Sequence, residues 1–151
     1  MTNWDKRYLD LAAHIAQWSK DPSTKVGAVL VDSNKLVVGL GYNGFPRGVH
    51  DHAERYDDRE TKYKMVVHAE VNAMIMAGDR ARGATLYVWP SFSLPPICNE
   101  CVKMAIQVGV KEIVGYLPDP NDPRVGRWAE SIAISGIMCQ EVGIAYRGVE
   151  S

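Results

Sequence analysis

His68-Ala69-Glu70 and, thirty positions later, Cys98-Asn99-Glu100-Cys101 are the residues whose types and spacing point to chemistry. An imidazole and two thiolates are donors that a zinc ion prefers, and three protein ligands with a fourth place left to water is the catalytic count. Both halves fall where helices are expected to start. Ligands on the first turns of two neighbouring helices can converge, and the positive helix ends favour thiolate over thiol. Glu70, two residues beyond the histidine, is placed to take a proton from activated water and hand it to a leaving group. That is hydrolytic chemistry.

Blander readings exist for the same residues. An isolated C-x-x-C also serves as a redox pair or as half of a structural zinc site. A structural site wants a fourth ligand, for which Cys139, His50 or His52 would have to serve. Cys139 lies in the apolar run Ile137-Met138-Cys139 and reads as core. A closed site has no use for a carboxylate placed like Glu70, so the catalytic reading is preferred.

The elements that must position these groups follow from periodicity. Trp4, Tyr8, Leu11, Ile15 and Trp18 recur at helical steps, and Asp21-Pro22 ends that helix. Val26 to Val31 and Leu36 to Tyr42 are β-rich runs around the turn Asp32-Ser33-Asn34-Lys35, which predicts a hairpin. From Asn43 to about Val66 no period is sustained, and a functional loop is expected. Further on, the pattern predicts a helix over 67–77, a strand over 85–89 and a helix over 98–108. A strand over 112–116, a helix over 125–135 and a last strand near 138–146 complete the chain. That order predicts an α/β fold, a three-layer α/β/α sandwich around a mixed sheet of about five strands, with 1–151 as one domain.

Bulk properties narrow the partners. The chain has 151 residues, 46% of them hydrophobic, and a formal net charge of −1. That charge argues against a general nucleic-acid binder, but not against a small anionic substrate. Three cysteines do not make a disulfide framework, and the close pair suits a reducing compartment. No apolar run reaches the ~20 residues that cross a bilayer, and the N-terminal stretch lacks a basic-then-apolar signal profile. A cytoplasmic protein without membrane or nucleic-acid partners is expected.

The H-x-E pattern followed by C-x-x-C is the signature of zinc-dependent nucleobase deaminases. Beyond it, Ser19-Lys20-Asp21-Pro22, Val26-Gly27-Ala28, Gly41-Tyr42-Asn43-Gly44-Phe45-Pro46-Arg47-Gly48, His68-Ala69-Glu70-Val71-Asn72-Ala73 and Thr85-Leu86-Tyr87-Val88 stand in family order. From Ser19 to Tyr116 the chain resembles the deoxycytidylate (dCMP) deaminases of the cytidine deaminase superfamily. One departure is visible: Pro95-Pro96-Ile97-Cys98 sets Ile97 between proline and cysteine, altering which loop carbonyl would face a substrate amine.

The resemblance implies hydrolysis of dCMP to dUMP and ammonia, supplying dUMP for dTMP synthesis, with Zn²⁺ on His68, Cys98 and Cys101 and Glu70 as proton carrier. It implies substrate contacts at Asn43, Ala69, Ser19, Lys20 and Tyr116. The Asn43 amide offers both donor and acceptor. Lys20 ends a helix, and Tyr116 ends a strand where ligands gather in open α/β sheets. It further implies a homohexamer activated by dCTP with Mg²⁺ and inhibited by dTTP. Gly44, Phe45, Arg47 and Gly48 offer backbone N–H groups, a ring and a cation to such a triphosphate. Within the superfamily the competing expectation is a deaminase of another small cytosine compound or of adenosine in tRNA. Outside it, the competitor is a non-enzymatic zinc-stabilised binding module.

Overall fold

The computed structural model describes residues 3–151. The first helix, α1 (Trp4–Ala16), starts where Asn3 accepts a hydrogen bond from the Lys6 backbone N–H at 3.1 Å. It is two residues shorter than its periodicity suggests. The expected hairpin forms from β1 (Gly27–Val31) and β2 (Val37–Tyr42). Its turn is closed by the Asp32 carboxylate, which accepts from the backbone N–H groups of Asn34 and Leu36.

The 43–66 stretch is not a plain loop. It holds α2 (Ala53–Asp57) and α3 (Arg59–Met65), helices too short to display a hydrophobic period. Asp58 caps the second, accepting from the backbone and hydroxyl of Thr61. Then come α4 (Ala69–Ala77), β3 (Thr85–Trp89), α5 (Asn99–Val108) and β4 (Glu112–Tyr116), close to expectation.

The C-terminal boundaries differ. The last helix, α6 (Ala129–Val142), absorbs the start of the expected strand, which is confined to β5 (Ala145–Val149). The apolar run Ile137-Met138-Cys139 suits a helix as well as a strand by composition, and in the helix Cys139 turns inward while Ile137 is exposed. Gly143, at φ 80°, supplies the left-handed residue that stops the helix.

The sheet order is β2-β1-β3-β4-β5, with β1 antiparallel to both neighbours and β3, β4 and β5 mutually parallel. Alternation then sorts the side chains onto two faces. Val29, Val31, Tyr87 and Val114 pack against Tyr8, Leu9 and Ala12 of α1. Ala28, Leu30, Leu86, Val88 and Ile113 face the other way, against α4, α5 and α6. This is the expected three-layer sandwich. Among the described residues no helix is long and apolar enough to cross a membrane.

Two glycines set how closely the site-bearing helix approaches the sheet. The helix α4 lies directly on β2 at Gly39 and Gly41. A Cβ on Gly41 would run into the Ala69 carbonyl oxygen and come within 2.5 Å of the Ala73 nitrogen. Asn72 fixes the same seam by donating to the Tyr42 carbonyl oxygen at 2.9 Å.

Candidate active site

His68 and Cys98 occupy equivalent places: each is the extended residue just before a helix, α4 and α5 respectively. Cys101 follows in the first turn of α5 and is fully buried. Local bonds hold both helix starts in place. Gly44 and Val67 exchange backbone hydrogen bonds of 3.1 and 2.7 Å, which fixes the chain as it enters His68. On the other side, the Ser131 hydroxyl of α6 accepts from the Asn99 backbone N–H and donates to the Asn99 side chain.

The outcome is a triangle of donors. His68 Nδ1 lies 3.1 Å from Cys101 Sγ and 3.5 Å from Cys98 Sγ, and all three ligand atoms fall within 4.8 Å of one another. A tetrahedral zinc with usual bond lengths would set donor–donor edges of about 3.5–3.8 Å. The triangle therefore fits such an ion with small adjustments, and its thiolate-forming donor set is the kind zinc takes. Cys139 is fully buried on the inward face of α6 among apolar neighbours, outside the triangle. The His50 and His52 rings meet edge to face, also apart from it.

The electrostatics are those of groups sharing protons. The Cys98 thiol is pulled down to about 4, first by its hydrogen bond from Cys101 and then, against burial, by His68. The same contact and burial push Cys101 upward. His68 rises to about 9, chiefly through its hydrogen bond with Cys98. Glu70, in the first turn of α4, is 6% exposed, and burial raises its carboxyl above the ordinary range. A buried carboxyl beside the donor triangle is placed to take up and release a proton.

His68 and Cys98 of the triangle and the Glu70 carboxyl line a cleft of about 220 Å³, while Cys101 is buried and does not line it. Asn43 and Ala69 line it. Three other candidates are placed elsewhere. The Ser19 hydroxyl donates to the Asn43 carbonyl oxygen at 2.8 Å, and exposed Lys20 pairs with Asp51 at 2.7 Å. Tyr116 shares the α1 side of the sheet with Val114, its hydroxyl donating to Asp10 at 3.3 Å. Neither Ser19, Lys20 nor Tyr116 lines the cleft.

Asn43 is more occupied than its donor–acceptor amide suggests. Its Oδ1 accepts from the Val26 N–H, and Nδ2 donates to the Thr24 carbonyl and to Asp21. One Oδ1 lone pair remains for a ligand. In the glycine-rich segment, the Phe45 ring stacks on Tyr56 at 4.3 Å, while Arg47 and Gly48 are exposed.

Sequence reasoning missed the other walls. Arg59, Lys62, Tyr63 and Val66 enter from α3 and the residue after it, and Phe92 and Ser93 from the loop after β3. Arg127, Trp128 and Ile132 enter from the start of α6. The spacing 59, 62, 63, 66 is a helical face and was available as a signal. Asp21, expected only to break a helix, is a buried hub. It accepts from the backbone N–H groups of Ser23 and Thr24 and forms a 2.8 Å ion pair with Lys62.

A donor triangle with two members lining a cleft, and a buried carboxyl two residues beyond its histidine, is the arrangement of a zinc hydrolase. Comparison with known proteins narrows the class. The family model for the cytidine and deoxycytidylate deaminase zinc-binding region matches residues 2–117. The chain belongs to that family, as the sequence resemblance implied. An uncharacterized deaminase in the luxG 3′ region of Aliivibrio fischeri is 37% identical over 95% of this chain and 92% of that protein. Deoxycytidylate deaminase of Mus musculus is 39% identical over 95% of this chain and 78% of its own. The dCMP deaminase of cyanophage S-TIM5, solved in complex with dCMP and dUMP, superposes with a TM-score of 0.70 at 25% identity, covering 99% of both chains.

Proposed function

We propose that the chain hydrolyses dCMP to dUMP and ammonia. The observation that carries this is the buried Glu70 beside the His68–Cys98–Cys101 triangle, with Glu70, His68 and Cys98 lining one cleft. Its kinship with proteins named for dCMP supports the choice of substrate. Zinc, when bound, supplies the Lewis acidity that makes water a nucleophile at neutral pH. The chain's own residues do the rest.

Glu70 takes one proton of the attacking water and delivers it to the ring nitrogen next to the amine-bearing carbon, then takes the proton of the hydroxyl left on that carbon and gives it to the departing amine. The C–N bond breaks and a carbonyl forms at the same carbon, so dCMP and water give dUMP and ammonia. Ala69 offers its backbone N–H, one of the first N–H groups of α4 with no partner inside the helix, to a polar atom of the base. The free lone pair of Asn43 Oδ1 accepts from a sugar or base donor.

The wider reading is a homohexamer supplying dUMP for dTMP synthesis in the cytoplasm, switched on by dCTP with Mg²⁺ and off by dTTP. Exposed Ile75 and Met76 of α4 support subunit contact. Gly44, Phe45, Arg47 and Gly48 offer the triphosphate site, with Arg47 as the phosphate-facing cation.

Ammonia release, followed with dCMP, CMP, cytidine and a tRNA in parallel, tests the substrate. Preference for dCMP is expected; turnover of the tRNA or of cytidine alone would refute it. Velocity against dCMP, alone and with each triphosphate, tests the regulation. A sigmoid that dCTP makes hyperbolic, lost in Arg47→Ala with zinc retained, is expected. A hyperbola indifferent to both triphosphates would refute the regulatory part.

A further inference from the structure

A helix is commonly capped by the side chain just ahead of its first turn, and two helices of this chain follow that habit. Asn3 accepts from the Lys6 N–H at the start of α1, and Asp58 accepts from the Thr61 N–H at the start of α3. The two helices that carry the donor triangle do not. Their capping positions are held by His68 and Cys98, and neither side chain makes a capping hydrogen bond. A donor atom turned toward a metal is withdrawn from the backbone it would otherwise cap. The free N–H groups at such a helix start need a partner from elsewhere.

For α5 the partner comes from another helix. Ser131 stands in the first turn of α6, thirty-two positions beyond Asn99, the residue that directly follows Cys98. Its hydroxyl oxygen accepts from the Asn99 backbone N–H at 3.0 Å, and its hydroxyl proton is donated to Asn99 Oδ1 at 2.7 Å. One hydroxyl closes a two-point clasp on the start of the metal-bearing helix. Otherwise both helices give apolar residues to the core, Val102 and Ala105 from α5, Met138 and Cys139 from α6. Apolar burial is non-directional and tolerates small slides, whereas a hydrogen-bonded clasp fixes distance and direction.

We propose that Ser131 is a positioning residue for the metal: its hydroxyl replaces the cap that Cys98 does not supply and holds the Cys98–Cys101 turn ready for zinc. The inference rests on the triangle being a zinc site. It gives α6, beyond the residues 2–117 that match the family, a part in keeping the ion. Without the hydroxyl, the Asn99 N–H loses its partner and the first turn of α5 frays. Zinc must then order both thiols as it binds. Outer partners that orient ligands are typically worth 10–100-fold in metal affinity.

Transfer of zinc from the loaded protein to a chromogenic chelator tests this without any turnover. Ser131→Ala is expected to bind zinc about 10–100-fold more weakly and to release it correspondingly faster. Ser131→Thr, which keeps the hydroxyl, should recover most of the loss. Asn99→Ala removes one arm of the clasp and should fall between, and it carries the test if Ser131→Ala does not fold. Ser135→Ala is the control for a general loosening of α6, because the Ser135 hydroxyl donates to the Ser131 carbonyl oxygen at 3.1 Å and not to Asn99. It should lower Tm yet release zinc at the wild-type rate. Wild-type zinc release from Ser131→Ala, or equally fast release from Ser135→Ala, overturns this inference and leaves the zinc site and the deaminase reading intact. A wild-type protein that takes up no zinc overturns the zinc reading and this inference with it.

Discussion

Replacing Gly41 by alanine adds one methyl group, yet it should disable the site from a distance. The new Cβ would sit 2.5 Å from the Ala73 nitrogen and 2.9 Å from Asn72 Cβ, with the Ala69 carbonyl oxygen nearer still. Ordinary contact begins near 3.4 Å. The obstacles are mainly helix backbone, so α4 itself must recede by about 1 Å, and the Ala69 carbonyl belongs to the turn between His68 and Glu70. Overpacking of this sort costs roughly 1–3 kcal/mol, which for a chain of this size lowers Tm by about 2–10 °C. A shift of ~1 Å in catalytic groups costs on the order of 100-fold in rate. Differential scanning calorimetry, zinc content and kcat on purified Gly41→Ala measure all three. Gly136→Ala is the control, because its Cβ would meet nothing closer than 3.8 Å. Inside α6 alanine should stabilise by up to about 1 kcal/mol. A Gly41→Ala protein with wild-type Tm and turnover would refute the claim that the glycine seam sets the position of the site.

The remaining predictions are simpler. Cys101→Ala should lose zinc, whereas Cys139→Ala should keep it and lose only about 1–2 kcal/mol of stability from a small buried void. Elemental analysis and thermal melts separate the two, and zinc loss in Cys139→Ala would contradict the three-ligand site. Asp5 clamps α1 to β5 through Arg147, at 2.7 and 2.9 Å, and accepts from the Tyr87 hydroxyl. The Arg147 hydrogen bond is the largest influence holding the Asp5 carboxyl below its ordinary 3.8. Its stabilisation is therefore complete above that value and is lost as pH falls through the lower folded one. The Tm gap between wild type and Asp5→Asn should be constant from about pH 7 to 5 and shrink below about pH 4; a gap that widens on acidification would contradict this.

The metal triangle and Glu70 were legible because chemistry fixes both residue type and spacing, and each ligand sits at a helix start that sequence marks well. The walls were less so. Tyr116 ends a strand, as expected, but a strand end does not say which face a side chain takes. Parity with Val114 puts Tyr116 against α1, while Ile113 faces the zinc-side helices. Ser19 and Lys20 stand next to the residue that matters more: Asp21 is drawn inward by Lys62, forty-one positions away, a pairing no local pattern announces. Arg59, Lys62 and Tyr63 carry a helical spacing, yet α3 is only seven residues long, and so short a helix is lost in a polar, aperiodic stretch. At the C-terminus, Met138 and Cys139 fit either a helix or a strand by composition, and packing on the α5 side of the sheet decides for the helix.

The central claim is that Glu70 moves the protons of a zinc-dependent deamination. The direct measurement is ammonia release from dCMP by Glu70→Gln, with zinc content determined on the same sample. The side chain keeps its size and the three ligands are untouched, so full zinc loading is expected, with turnover reduced by at least ~10²–10⁴-fold, the usual worth of a general acid–base group. Full zinc loading with near-normal turnover would contradict the account.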